Sequence, residues 1–166
     1  VVGAGPAGMA AATVAANRGH LVTLFEKENQ IGGQFNMAKK IPGKEEFHET
    51  LRYFNKQIEL SGVEVRLNTA ATLNELKNFD EVILATGISP RKLDIPGINH
   101  DKVVSYLDVL KHEKKIGKKV AIIGAGGIGF DVAEYLTHGG ESSSVNTVAF
   151  MKEWGVDMSN EVRGGI

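Results

Sequence analysis

Gly3, Gly5 and Gly8, together with Glu26 at the end of the next apolar run, form the pattern in this chain best suited to chemistry. Glycines in the spacing G-x-G-x-x-G, set between an apolar strand and an alanine-rich helix, make a cradle for phosphate. Gly3 permits the tight turn, Gly5 keeps a Cβ out of the path of a pyrophosphate, and Gly8 lets the helix pack closely on the strand. Pro6 and Ala7 lie in the same turn. The helix that follows, Met9 to Ala16, offers unpaired N–H groups and a positive dipole end to the phosphates. Glu26, at the tip of the strand Leu21–Glu26 and followed by Lys27, is placed to accept hydrogen bonds from both hydroxyls of a ribose. The chemistry implied is dinucleotide binding.

The same pattern recurs later. Lys118 to Ile123 reads as a strand, and Gly124, Gly126, Gly127, Ile128 and Gly129 make a second glycine turn opening a helix from Ile128 to about Leu136. A second strand with its ribose-reading residue is due within about 20 residues. The chain instead gives the polar, turn-forming run Thr137 to Ser144. Val145 to Phe150 is too short, and too broken by Asn146 and Thr147, to read as a strand. No residue present distinguishes a 2′-hydroxyl from a 2′-phosphate.

The intervening elements must position these turns. Asn17 to His20 stops the first helix, with Gly19 suited to the left-handed cap. Gly32 and Gly33, in the loop Gln30–Phe35, would let the backbone pass close to a bulky ligand. Phe47, Leu51, Phe54 and Ile58 mark one face of an amphipathic helix within Lys44–Ser61, which Gly62 ends. Val63, Val65 and Leu67 alternate as in a half-buried strand. Thr72 to Lys77 is a helical turn. Asp80 to Gly87 reads as a buried strand ending in the small residues Ala85, Thr86 and Gly87. Ile88 to Asp101, with Pro90 and Pro96, is a connection, and Tyr106 to His112 a short helix.

Composition narrows the function classes. Apolar residues at 42% and charged residues at 23% are those of an ordinary soluble globular protein. A net charge of −1 gives no electrostatic footprint for nucleic acid or an anionic membrane, and no apolar run approaches the ~20 residues of a membrane span. With Cys 0, a redox disulfide, a thiolate nucleophile and a cysteine-ligated metal or iron–sulfur cluster are excluded within this chain. The lack of cysteine also accords with a reducing compartment. His20, His48, His100, His112 and His138 show neither metal-ligand spacing nor a neighbouring nucleophile, so no metal site and no catalytic residue is assigned. Asp131 and Glu134 read as acids suited to the dipole at a helix start, and Phe150 and Trp154 as packing residues. The chain begins inside its first strand and stops at Glu161–Ile166 without closing an element, which reads as a piece of a longer polypeptide.

Several segments resemble bacterial NADPH-dependent 2,4-dienoyl-CoA reductases, within the flavin oxidoreductase family that includes trimethylamine dehydrogenase. They are Ile31–Asn36, Ile41–Phe47, Val104–Leu110, Ala121–Asp131 and Glu153–Gly155, and the resemblance covers essentially the whole chain. It implies an FAD module followed by the start of an NADPH module. FMN, a [4Fe–4S] cluster and the unsaturated fatty acyl-CoA substrate would belong to an N-terminal barrel. Carried over by position, FAD would be held by Gly3, Gly5, Pro6, Ala7 and Gly8 at the pyrophosphate turn and by Glu26 and Lys27 at the ribose. Gly33, Gln34 and Lys44 would also face FAD. Ala71 would touch adenine through its backbone, and Thr86 and Gly87 would lie against the pyrophosphate. Gly124, Gly126, Gly127, Ile128 and Gly129 would cradle NADPH.

The expected architecture is α/β: a Rossmann-like, doubly wound arrangement of two dinucleotide-binding domains with parallel strands and the nucleotides over the strand C-termini. Residues 1–116 would form the FAD domain, lacking a C-terminal return segment, and 117–166 the start of the NAD(P)H domain. The function implied is NADPH-dependent electron input to a cytoplasmic enzyme of fatty acid β-oxidation, the isolated piece being inactive and binding FAD weakly or not at all. Two alternatives stand beside it: the input module of another enoate reductase or amine dehydrogenase, and a non-redox module that binds only ADP. A disulfide reductase is excluded by the missing cysteines.

Overall fold

The computed structural model describes residues 1–91, 93–161 and 163–164. They form two compact units, one from Val1–Met37 with Phe47–Val103, the other from Ala38–Glu46 with the described residues of Val104–Ile166. This packing boundary differs from the motif boundary at residue 116. A segment from the middle of the first half packs with the second unit, and the helix before the second glycine turn belongs there too.

The first unit is a parallel sheet with helices. Strand β1 (Thr23–Phe25) pairs in parallel with β2 (Glu64–Arg66). Val2 bridges in parallel to Phe25 on one side and to Leu84 on the other. The order across the sheet is therefore β2, β1, the Val2 segment and the Leu84 segment. The first segment in the chain lies between the second and the fourth, which is the topological switch point of a dinucleotide-binding sheet. Hydrogen bonds Gly3 N–H to Phe25 O (2.8 Å), Val2 N–H to Ile83 O (2.9 Å) and Ala85 N–H to Val2 O (2.8 Å) hold it there.

Helix α1 (Pro6–Asn17) begins with proline, whose missing N–H costs nothing in the first turn. The short α2 (Phe35–Ala38) leads on to α3 (Glu46–Ser61). Ala4, Met9, Ala12, Leu24, Ile31, Leu51, Ile58 and Val63 form one buried cluster, with Phe54 and Val65 packed against it. Leu51, Phe54 and Ile58 are thus the face that the helical spacing predicts. The expected helical turn at Thr72 is α4 (Leu73–Leu76), closed by a capping box between Thr72 and Glu75.

Two expectations on strands are corrected. Asp80–Gly87 makes one bridge, at Leu84, and is not buried: Val82, Ile83 and Leu84 are exposed. Among the described residues this segment lies at the edge of the sheet, with no further strand paired beyond it. Lys118–Ile123 forms no ladder, and Val120, Ile122 and Ile123 are exposed. Its apolar run has the composition of a parallel core strand, but no neighbouring strand is present among the described residues to pair with it.

The second unit contains α5 (Tyr106–Leu110), α6 (Gly127–Thr137) and α7 (Thr147–Glu153). Its buried apolar residues are Ile41, Val109, Leu110 and Val132. The run 145–150, ambiguous in sequence, is mostly helical because Asn146 caps α7 by accepting from the Ala149 N–H. Phe150 and Trp154 pack on each other with ring centroids 5.9 Å apart. In the terminal run Glu161–Ile166, residues 162, 165 and 166 lie outside the described residues.

Candidate functional site

The first glycine turn sits at the switch point, and each of its glycines has a separate physical reason. Gly3 has φ +99°, and a Cβ there would strike the Ala85 carbonyl. A Cβ on Gly8 would fall well inside contact with the Gly3 carbonyl oxygen, so the helix crosses the turn as closely as a glycine allows. Gly5 differs from both. Its φ of −73° suits any residue, and a Cβ there would meet nothing within 4 Å. Neither backbone conformation nor protein packing demands glycine at this position, and the open space fits an external group held close to the main chain.

Glu26 ties this turn to the strand end. It is 7% exposed; its Oε2 accepts the Ala4 N–H at 2.8 Å and its Oε1 the Glu28 N–H at 3.0 Å. An ionised carboxylate has about four acceptor positions, so both oxygens keep capacity for ribose hydroxyls. The Gly32 N–H donates to Ala4 O at 2.7 Å, and a Cβ on Gly33 would lie 2.9 Å from the Gly5 Cα. The paired glycines thus bring their loop against the phosphate turn itself. Thr86 lies beside Gly3, its Cα 3.2 Å from where a Gly3 Cβ would be. Gly3, Gly5, Pro6, Ala7, Gly8, Glu26, Gly33 and Thr86 are therefore one constellation in the first unit. Lys27, Gln34 and Gly87 are exposed, and Ala71 is half-buried two residues beyond Thr69, whose N–H donates to Glu26 O at 2.8 Å.

The second turn repeats this geometry within the second unit. Gly124 has φ +114°, and a Cβ on Gly129 would fall inside contact with the Gly124 carbonyl oxygen, as Gly8 does on Gly3. Gly126 matches Gly5: it begins α6 with extended backbone (φ −90°, ψ −178°) and open space at its Cβ. Gly127 opens the helix and Ile128 is 54% exposed beside it.

Helix starts separate these two turns from those of α4, α5 and α7. Thr72, Ser105 and Asn146 cap α4, α5 and α7 with side-chain oxygens, whereas neither α1 nor α6 has a side-chain cap. The first-turn N–H groups of α1 and α6 lack intrahelical partners and point, with the dipole, toward anions.

Lys44, expected to face FAD, is engaged within the second unit. Its Nζ lies 2.6 Å from each carboxylate oxygen of Asp131. Asp131, read from the sequence as a dipole partner, was not foreseen in this pairing; the two are far apart in the chain, and no local pattern signals it. Among the described residues no cluster of His, Cys, Asp or Glu could hold a metal ion, and no helix is long and apolar enough to cross a membrane.

The sheet order of the first unit and the two glycine turns are those of a Rossmann-like α/β fold of the FAD/NAD(P)-binding kind. Comparison with known proteins agrees. Residues 1–162 match the family described as Pyridine nucleotide-disulphide oxidoreductase, and the chain belongs to that family. It is 40% identical over 164 residues to a cinnamate reductase of Clostridium sporogenes, covering 98% of this chain and 23% of that protein. It is 38% identical to a bilirubin reductase of Mediterraneibacter gnavus, covering 98% of this chain and 25% of the relative. A solved 2-naphthoyl-CoA reductase in complex with 2-naphthoyl-CoA shares 41% identity and a TM-score of 0.78, over 82% of this chain and 21% of that one. The chain thus spans about a quarter of the curated relatives it matches. The family is one of flavin- and pyridine-nucleotide-type oxidoreductases, and the relatives named above are reductases.

Proposed function

We propose that this chain is the electron-input module of a 2,4-dienoyl-CoA reductase-like flavoenzyme, with FAD on the first glycine turn and NADPH on the second. The observation that carries the reading is the duplicated turn. Gly5 and Gly126 each start an uncapped helix with open space where a Cβ would lie, while Gly8 and Gly129 are needed for packing alone. A module built only to hold ADP has no use for the second turn.

In this proposal FAD, when bound, would supply a two-electron acceptor for the hydride of NADPH, and a [4Fe–4S] cluster and FMN outside this chain would supply the route to an unsaturated acyl-CoA substrate. The chain's own residues bind and orient. The first-turn N–H groups of α1 would bond the FAD phosphates, and Glu26, fixed by two backbone N–H donors, would accept from the ribose. Gly33, Gln34, Thr86 and Gly87 line the approach, Lys27 lies beside the ribose acid, and Ala71 meets adenine. Gly124, Gly126, Gly127, Ile128 and Gly129 take the NADPH phosphates. Residues 1–116 serve the first nucleotide and 117–166 begin the site of the second. FMN, the cluster and the acyl-CoA site belong to the remainder of a cytoplasmic enzyme of β-oxidation.

The 40% identity to a cinnamate reductase favours one second reading, the same module serving an enoate reductase that takes free acids. The full-length protein decides. Anaerobic assay with NADPH should show flavin and iron–sulfur absorbance and faster turnover of a 2,4-dienoyl-CoA than of cinnamate. The reverse preference supports the second reading. A product that binds ADP and carries neither flavin nor cluster overturns both.

A further inference from the structure

The segment Ala38–Glu46 interrupts the first unit in sequence: Met37 and Phe47 on either side belong to that unit, while the segment packs with the second. Its anchors are specific. Ile41 is buried at 1% exposure. Lys40 Nζ donates to Leu110 O at 2.8 Å and pairs with Glu113 at 2.6 Å. The Ser144 hydroxyl donates to Glu45 at 2.6 Å. Lys44 gives its ammonium to both oxygens of Asp131. Asp131 lies one turn into α6, the helix whose uncapped start is the second glycine turn.

A bare carboxylate one turn below that start would set a negative charge close to where the phosphates of an incoming nucleotide must lie. Coulomb repulsion over such a distance is felt at a protein surface, where the effective dielectric is well below that of water. The pair is part-buried, with side-chain exposures of 41% and 29%, so solvent does not screen it fully. The geometry points to Lys44 as a positioning residue of the second nucleotide site: it neutralises Asp131 beneath the α6 turn and holds the 38–46 strap on that unit. This rests on the reading that the second turn binds a nicotinamide dinucleotide. It assigns Lys44 to that nucleotide and not to FAD.

The test is anaerobic titration of NADPH into the full-length flavoprotein, followed by bleaching of the flavin band, for four forms: unaltered, K44M, D131N and K44M/D131N. K44M should weaken apparent NADPH affinity about three- to tenfold at low salt, because Asp131 is left unpaired, and the loss should shrink as salt screens it. D131N should not weaken affinity, since the freed ammonium adds positive charge, and the double variant should recover most of what K44M loses. FAD content should be unchanged in all four. Equal weakening in K44M and in the double variant, insensitive to salt, overturns the inference and makes the pair a structural strut. Loss of FAD in K44M, with or without D131N, overturns it in favour of a flavin contact. Absence of any NADPH-dependent bleaching in the unaltered protein overturns the nucleotide reading itself.

Discussion

The Ala4 N–H donates to Glu26 Oε2 at 2.8 Å, a bond between the glycine turn and the acid that closes the next strand. Both residues are buried, Ala4 at 0% and Glu26 at 7% exposure. The acid that sequence reasoning assigns to a ribose therefore has a second task, fixing the phosphate turn against β1. On the other side of the same residue the Ala4 carbonyl accepts from the Gly32 N–H at 2.7 Å. Turn, acid and paired-glycine loop are held as one piece before a nucleotide arrives, so less ordering is left for binding to accomplish.

Removing that carboxylate should therefore affect stability as well as binding. Glu26→Ala leaves the buried Ala4 N–H without its acceptor, which costs about 1–3 kcal/mol. In the full-length protein, thermal unfolding should move to lower temperature and bound flavin should be lost. A variant that loses flavin with unchanged unfolding would show that the Ala4 bond contributes nothing.

The glycines of the first turn should separate by role. In Gly8→Ala the new methyl collides with the Gly3 carbonyl, and helix α1 must shift away from the sheet. Overpacking of this kind costs about 1–3 kcal/mol or more. Gly5→Ala meets open space at an ordinary φ, and its stability should stay near that of the parent while FAD content falls. Unfolding curves and flavin-to-protein ratios for the two variants of the full-length protein check this. Equal destabilisation by both would remove the argument that Gly5 is kept for a ligand.

Acid should loosen the second unit locally. The Ser105 hydroxyl and then its backbone N–H, hydrogen-bonded to Asp108, hold that carboxyl below the usual carboxylate range. The Lys40 ammonium does the same for Glu113 by hydrogen bond and then charge. A carboxyl depressed in the folded state contributes stability that is complete above its unfolded value, near 4, and that fades as pH falls through the lower folded value. Both groups are exposed, so the effect is local: amide exchange at Ser105 and across 38–46 should accelerate below about pH 4, while the core around Met9 and Leu24 keeps its protection. Exchange that is uniform across both units would contradict this.

The two glycine turns were legible because their glycines obey local rules. Gly3, Gly8, Gly124 and Gly129 answer to turn and helix-crossing sterics that a short motif records. The face Leu51, Phe54 and Ile58 was legible for the same reason, through helical spacing. Burial of Asp80–Gly87 and pairing of Lys118–Ile123 were not, because burial and ladders depend on neighbours that a strand's own composition does not specify. The Lys44–Asp131 pair was invisible for a related reason: it joins residues distant in sequence, and each already has another reading, Lys44 as a residue facing FAD and Asp131 as a dipole partner.

The central claim is that the second glycine turn delivers a nicotinamide nucleotide to a flavin on the first. Its most direct test is anaerobic reduction of the full-length protein by NADPH, comparing the parent with Gly126→Ala. A Cβ at Gly126 meets no protein atom within 4 Å, so the variant should fold and keep its flavin. The account predicts that the parent's flavin band bleaches readily, whereas the variant needs about tenfold or more NADPH, a loss of roughly 1.4 kcal/mol. Bleaching of the variant at the parent's NADPH concentration, with the same flavin content, would contradict it.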